Sequence, residues 1–391
     1  MISEPRHPIY NFQFALLCLS SLLFSASFNM MIPELPAYLS SLGGAEYKGL
    51  IIALFTLTAG ISRPFSGKLT DTIGRVPIMA IGSIVCVICG LLYPLLTTVS
   101  GFLFLRLIHG FSTGFKPTAS SAYIADIVPA GRWGEAMGLH GLAFSTGMAI
   151  GPAMGSAITS HYSINVLFYF SSVLALLSIL LVLNMKETLK DKQKFRSSLL
   201  KIPFKDIIEW RVIPSAVVTL LSYMSYGALL TLVPDWAAHL GVTNKGLFFM
   251  TFTIASILVR FVAGKASDKY GRVVVIKISL VMIGVSLIMI GMASSVFTLL
   301  TASVVYGAGT GILSPAVNAW TADLSHPERR GKAVATMYIA LEAGIGLGAL
   351  FAGWIFKDII ARVPMLFYIS AATVFSALVY LYFAPKTKQT Y

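Results

Sequence analysis

Apolar positions in this chain run in long blocks instead of alternating with polar ones. Twelve blocks, at 13–38, 47–66, 77–98, 101–125, 135–158, 163–185, 210–235, 246–264, 273–293, 297–321, 332–356 and 363–384, each hold about 18 to 25 residues and few charges. A helix of that length crosses a hydrocarbon core of about 30 Å, and within such a core a helix satisfies all its backbone polar groups internally. The pattern predicts an all-α membrane protein with twelve crossing helices.

The blocks are duplicated. SRPFSGKLTDTIGR at 62–75 aligns with VRFVAGKASDKYGR at 259–272, which sets Arg63 over Arg260, Gly67 over Gly264, Asp71 over Asp268, and Gly74-Arg75 over Gly271-Arg272. The same offset of 197 aligns 109–151 with 306–348 at thirteen identical positions, among them Gly110/Gly307, Asp126/Asp323 and Gly147/Gly344. A register held that long marks an internal repeat. Six crossings per half is an even number, so both halves enter from one side of the membrane and are related by an axis along its normal, the parallel-repeat plan of rocking transporters. The predicted division is a six-helix bundle over 1–185, a charge-dense linker over 186–209, and a second six-helix bundle over 210–391.

Charge orients this plan. With residues near a block end assigned to the adjacent side, four of the 29 Lys and Arg (Lys48, Lys245, Lys357, Arg362) fall on one side and four (Arg63, Arg106, Lys116, Arg260) inside the predicted helices, leaving twenty-one on the linker side. That bias predicts a cytoplasmic linker and two cytoplasmic termini in a bacterial inner membrane. The first block follows a single basic residue, Arg6, and outlasts a signal-peptide core, so it reads as a retained helix. The net charge of +13 then faces lipid headgroups, and no nucleic-acid partner is expected. Cys18, Cys86 and Cys89 all lie inside apolar blocks. Cys86 and Cys89 make a CxxC, yet no His or second pair completes a metal site, so the three read as small buried side chains.

The pattern GxxxDxxGR, at 67–75 and again at 264–272, resembles the signature of the major facilitator superfamily, and the likeness extends over essentially the whole chain. In the motif itself, Gly67, Gly74, Gly264 and Gly271 permit tight turning, while Asp71, Arg75, Asp268 and Arg272 sit at helix ends. Arg75 is expected to pair with Asp126 and Arg272 with Asp323, and Asp71 to approach the N-terminus of the eleventh helix in the other half. The resemblance implies that such contacts latch the cytoplasmic gate. GMAIGPAMGS at 147–156 resembles the helix 5 motif of the superfamily's drug and metabolite antiporters. Its Gly147, Gly151 and Gly155 form a strip for close helix packing, and Pro152 removes one backbone bond.

Polar stripes mark the candidate substrate path. The fourth block carries Arg106, His109, Thr113, Lys116 and Ser120, and the tenth Tyr306, Thr310, Ser314 and Asn318, both at helical spacing. The first offers Asn29 and the seventh Tyr223 and Tyr226. The resemblance implies that these four helices line a central pathway. Back-bonding to the preceding turn is the alternative for the hydroxyls. Each intramembrane charge costs about 2.5 to 3.5 kcal/mol on insertion scales, so each needs a reason. Arg106, in LRLIHG, resembles an arginine that the family links to proton transfer. Lys116 either faces the cavity, favouring an anionic substrate, or is satisfied among neighbouring helices.

Three acids, Glu34, Asp235 and Glu342, are placed to reach the translocation path. Glu34 and Asp235 stand at the ends remote from the linker, open to an outer-gate or a coupling role. Glu342 lies about ten residues into the eleventh block, or ~15 Å deep. A carboxylate at that depth holds its proton while dry and yields it when water or a cation arrives, which is what proton coupling requires. The alternative is a neutral acid bonded to Thr56 or Thr58. With no HExxH, phosphate loop or paired catalytic carboxylates, neither enzyme chemistry nor ATP drive is expected. The resulting expectation is a monomeric, proton-coupled secondary transporter without cofactor, exporting small amphipathic molecules. Uptake or exchange of an anionic metabolite, and a non-transporting membrane sensor, are the alternatives.

Overall fold

A computed structural model describes residues 11–129, 132–200, 207–326 and 329–383. Their first half forms α1 (Phe12–Asn29), α2 (Leu35–Ser41), α3 (Lys48–Thr72), α4 (Arg75–Leu92), α5 (Val99–His109), α6 (Phe111–Ile127), α7 (Trp133–His161) and α8 (Ile164–Leu183). The second half forms α9 (Ile213–His239), α10 (Gly246–Tyr270), α11 (Arg272–Gly291), α12 (Val296–Leu324), α13 (Arg330–Phe356) and α14 (Val363–Phe383). No strand occurs among the described residues.

Two of the predicted crossings are broken, one at a proline and one at a contact with another helix. The first stops at Asn29 because Pro33, having no N–H, cannot continue the ladder, and the chain turns before resuming as α2. The fourth breaks at Gly110 between α5 and α6, where the Thr58 hydroxyl of α3 donates to the Leu107 carbonyl at 2.6 Å. Elsewhere caps match the sequence: Asn11 accepts from Phe14 N at 2.8 Å, and Ser295 and Thr298 form a capping box on α12. Gly74 and Gly271 turn α3 into α4 and α10 into α11 at φ of 136° and 90°. That region favours glycine, which explains why the repeat places one at both sites.

Packing repeats with the sequence. In the first bundle α1 lies on α7 and α8, α3 on α6, and α4 on α6 and α8; in the second α9 lies on α13 and α14, α10 on α12, and α11 on α12 and α14. The small-residue strip of α7 faces α1: a Cβ on Gly151 would sit 2.9 Å from the Ala26 carbonyl oxygen, and one on Gly147 or Gly155 would sit still closer to the Leu22 or Met30 carbonyl oxygen. Gly344 and Gly348 repeat this against Leu220 and Met224 of α9. The glycines of the helix 5 motif are thus a packing surface inside the first bundle, and their repeat equivalents are one inside the second. The two bundles meet along α3 with α13 and α7 with α10.

Candidate functional site

The interface between the bundles is closed on the side remote from the linker. There Lys48 Nζ lies 2.9 Å from Asp235 and 2.5 Å from Asp358. Lys245 lies 3.3 Å from Glu34, whose other oxygen accepts from Ser156 Oγ at 2.6 Å; Ser156 in turn accepts from Gly246 N. Glu34 and Asp235 are therefore held in ion pairs that bridge the halves. Two of the four basic residues that the charge bias left on that side supply the partners.

On the linker side the halves are parted. Gly67 follows Arg63 by four residues on the face of α3 that meets α13, and Gly134, Gly138 and Gly141 share the face of α7 that carries Ser145. Among the described residues, none of them has a neighbour within 4 Å of where a Cβ would sit. Asp71 is 70% exposed and pairs at 3.2 Å with Arg75 of its own half. This corrects the expectation that it approaches α13, and the gap between the halves is the reason. The other motif pairs form as predicted, Arg75 to Asp126 at 2.9 Å and Arg272 to Asp323 at 3.1 Å, with Asp268 also on Arg272. Gly264 lies in α10, and its surroundings are outside the described residues. The motif reading missed Glu187, which accepts from Arg75 N and Val76 N at 3.0 and 3.1 Å and so caps α4. It lies just past the sixth block, and no spacing points to it.

Two arginines mark where the halves begin to diverge. Arg63 Nη2 of α3 lies 2.5 Å from Glu342 Oε1 of α13, with the Tyr338 ring 5.0 Å from the guanidinium. Glu342 is the thirteenth of the 27 residues of α13, near its middle, and a Cβ on Gly60 would touch its Cβ at 3.3 Å. Glu342 therefore faces α3, bonded neither to Thr56 nor to Thr58, whose hydroxyls return to backbone carbonyls. The pair is monodentate, and Arg63 Nε is buried without a hydrogen-bond partner among the described residues. Across the interface Arg260 Nη1 of α10 donates to Ser145 Oγ of α7 at 3.2 Å. Among the described residues, no hydrogen bond or ion pair joins the two bundles nearer the linker side than these.

Against the second bundle lies a cavity of about 100 Å³, lined by Tyr223, Tyr226, Tyr306, Thr310 and Ser314 of the predicted set together with Ser222, Phe252, Ser256, Ile283, Leu313, Arg260 and, from α7, Met148. Asn29 lines a smaller neighbouring recess with Tyr226 and Pro152. Asn318 bonds the Ser314 carbonyl at 2.8 Å, outside the lining.

The fourth-crossing stripe does not reach the cavity. Arg106 is buried in the first bundle, donating to the Ile51 carbonyl at 2.9 Å with the Phe55 ring 4.6 Å away. His109 sits between Tyr93 OH at 3.2 Å and Cys86 Sγ at 3.3 Å, and Thr113 bonds the Gly110 carbonyl. Lys116 is held by the hydroxyls of Ser20, Ser83 and Ser178. Helical spacing identified one face correctly; that face turns toward α3, α4, α1 and α8. Arg63 and Arg260, which the repeat aligned, are the intramembrane cations at the interface. Their shared register was the signal.

Two stretches, residues 17–216 and 215–390, match the sequence profile of the Major Facilitator Superfamily. The multi-drug resistance efflux pump PmrA homolog of Lactococcus lactis is 28% identical over 83% of this chain and 83% of its own. The quinolone resistance protein NorA of Staphylococcus aureus is 25% identical over 97% and 99%. Among solved structures, a D-xylose–proton symporter superposes with a TM-score of 0.75 at 18% identity, covering 96% of this chain and 98% of its own.

Proposed function

The chain belongs to the Major Facilitator Superfamily and is a multi-pass secondary transporter, and on that premise we propose that it exports small amphipathic molecules in exchange for protons that enter through Glu342. The observation that carries this reading is the Arg63–Glu342 pair, a titratable contact in mid-membrane made between the two bundles and not within one. Proton binding and pairing exclude one another, because the charge-assisted bond needs an ionised carboxylate. With the linker side open, the proton leaves and the pair forms; when α3 and α13 separate in the opposite state, the carboxylate is free to take a proton from the other side. A group that binds a proton differently in two conformations couples them. The linker side and both termini are taken as cytoplasmic, the membrane as the bacterial inner membrane, and the chain as a monomer. Glu34 and Asp235 then serve as latches of the outer side, through Lys245 and Lys48. Names of relatives that denote drug efflux support export, as does a cavity walled by aromatic rings and hydroxyls.

Reconstitution in liposomes with an imposed pH gradient tests the coupling, using a fluorescent quinolone as probe. Glu342→Gln keeps the side chain's shape but cannot ionise. It is expected to abolish quinolone-driven proton movement, at least tenfold on the scale of a lost coupling residue, while quinolone exchange at equal pH continues. Undiminished proton movement in this variant would remove Glu342 from the cycle.

A further inference from the structure

Among the described residues, repeat symmetry leaves one charge without an acidic partner. Arg63 and Arg260 are equivalents at offset 197, and so are Glu342 and Ser145. The same reach across the interface therefore ends on a carboxylate in one case, at 2.5 Å, and on a hydroxyl in the other, at 3.2 Å. Among the described residues no carboxylate lies within ion-pairing distance of Arg260, and it is the one charged side chain on the cavity wall. A guanidinium offers five donors in a planar fork, and among the described residues one of them has a protein partner. Arg260 is exposed where the linker side opens, so water reaches its free donors, and a cation kept at membrane depth on such a wetted wall marks a substrate or ion path. Its planar geometry matches a carboxylate with two parallel bonds.

The wall beside it is aromatic and continuous. The rings of Tyr223 and Tyr226 are 6.4 Å apart, Tyr226 and Phe252 5.9 Å, and Phe252 and Tyr306 5.7 Å. Such a wall takes a planar apolar body, and the hydroxyls of Ser256 and Ser314 add bonds at its edge. We propose that Arg260 is the residue that recognises an anionic head group, so that the molecule carried is an amphipathic carboxylate with an aromatic or otherwise flat apolar body. Arg260 fills in the cavity the role that sequence spacing had suggested for Lys116. The inference rests on the transport reading of the cavity and names its substrate class.

The test compares a quinolone carboxylate with its methyl ester, by fluorescence titration of the purified protein and by flux in liposomes. The wild type is expected to bind the acid roughly tenfold or more tightly than the ester. Arg260→Gln is expected to erase that preference while ester binding stays within about twofold. Ser145→Glu is a second route: its carboxylate would occupy Arg260 as Glu342 occupies Arg63, and should erase the preference with the arginine retained. Folded Arg260→Gln and Ser145→Glu proteins that still prefer the acid would overturn the proposal, as would a wild type that binds the two probes equally or binds neither. Preferential acid binding without flux of either probe would leave the anion site standing and remove the transport reading.

Discussion

Lys116 is 1% exposed, and its ammonium is taken by hydroxyls from α1, α4 and α8 with the Phe24 ring 4.8 Å away. It meets no carboxylate among the described residues, so it acts as a strut of the first bundle. Replacing a buried charge by an apolar side chain of similar length is often neutral or stabilising, and here Ser20 and Ser178 still bond each other at 2.9 Å once the lysine is gone. Lys116→Met is therefore expected to leave the thermal midpoint of unfolding near that of the wild type and quinolone affinity within about twofold. A tenfold loss of affinity in a folded Lys116→Met protein would put the lysine in the substrate path after all. At this scale the sequence was legible where the repeat repeated a partner and opaque where it did not. Arg75 with Asp126 and Arg272 with Asp323 could be read because both members recur at one offset, fixing the geometry twice. The stripe from Arg106 to Lys116 could not be placed, since spacing of three and four defines a helix face but not the neighbour it meets.

Among the elements, close approach governs what can change. Gly348 lies so near the Met224 main chain that an added Cβ meets backbone, which cannot move aside as a side-chain tip can. Gly348→Val should separate α9 from α13 and cost about 2 kcal/mol or more. Gly138, with no neighbour within 4 Å, should accept Ala with a change inside about 0.5 kcal/mol. Thermal unfolding of the two purified variants checks the contrast, and equal midpoints would mean that α13 does not need its small residues. Helix number and depth were legible because hydropathy reports them directly, as Glu342 near the middle of α13 illustrates. The ends were not: Pro33 visibly stops α1, but the break at Gly110 depends on Thr58 reaching Leu107 from another helix. Glu187 capping α4 from beyond the first bundle is likewise a tertiary event.

For the whole molecule, duplication made the two-bundle plan legible, whereas the conformation was not, because one sequence serves both states. Asp71 turned to Arg75 instead of α13 belongs to the state with the linker side open. That state is held by Lys48 with Asp235 and Asp358, and by Lys245 with Glu34. Lys48→Met removes the cation and leaves Asp235 and Asp358 facing each other, so the closed side gains repulsion where it had attraction. Lys48 is buried and its two acids are partly exposed, so losing the cation costs about 1 kcal/mol or more, and about 1 kcal/mol already shifts the ratio of the two states by roughly fivefold. The readout is a single accessible cysteine placed at Gly138, on the face of α7 exposed by the open linker side, in a Cys18→Ser background. Cys86 and Cys89 are buried and stay silent. A membrane-impermeant maleimide applied from the linker side should label Gly138→Cys several-fold more slowly once Lys48→Met is added. Faster or unchanged labelling would mean that the Lys48 cluster does not hold the closed side, and the burden of closure would pass to the α7–α10 contact at Ser156 and Gly246.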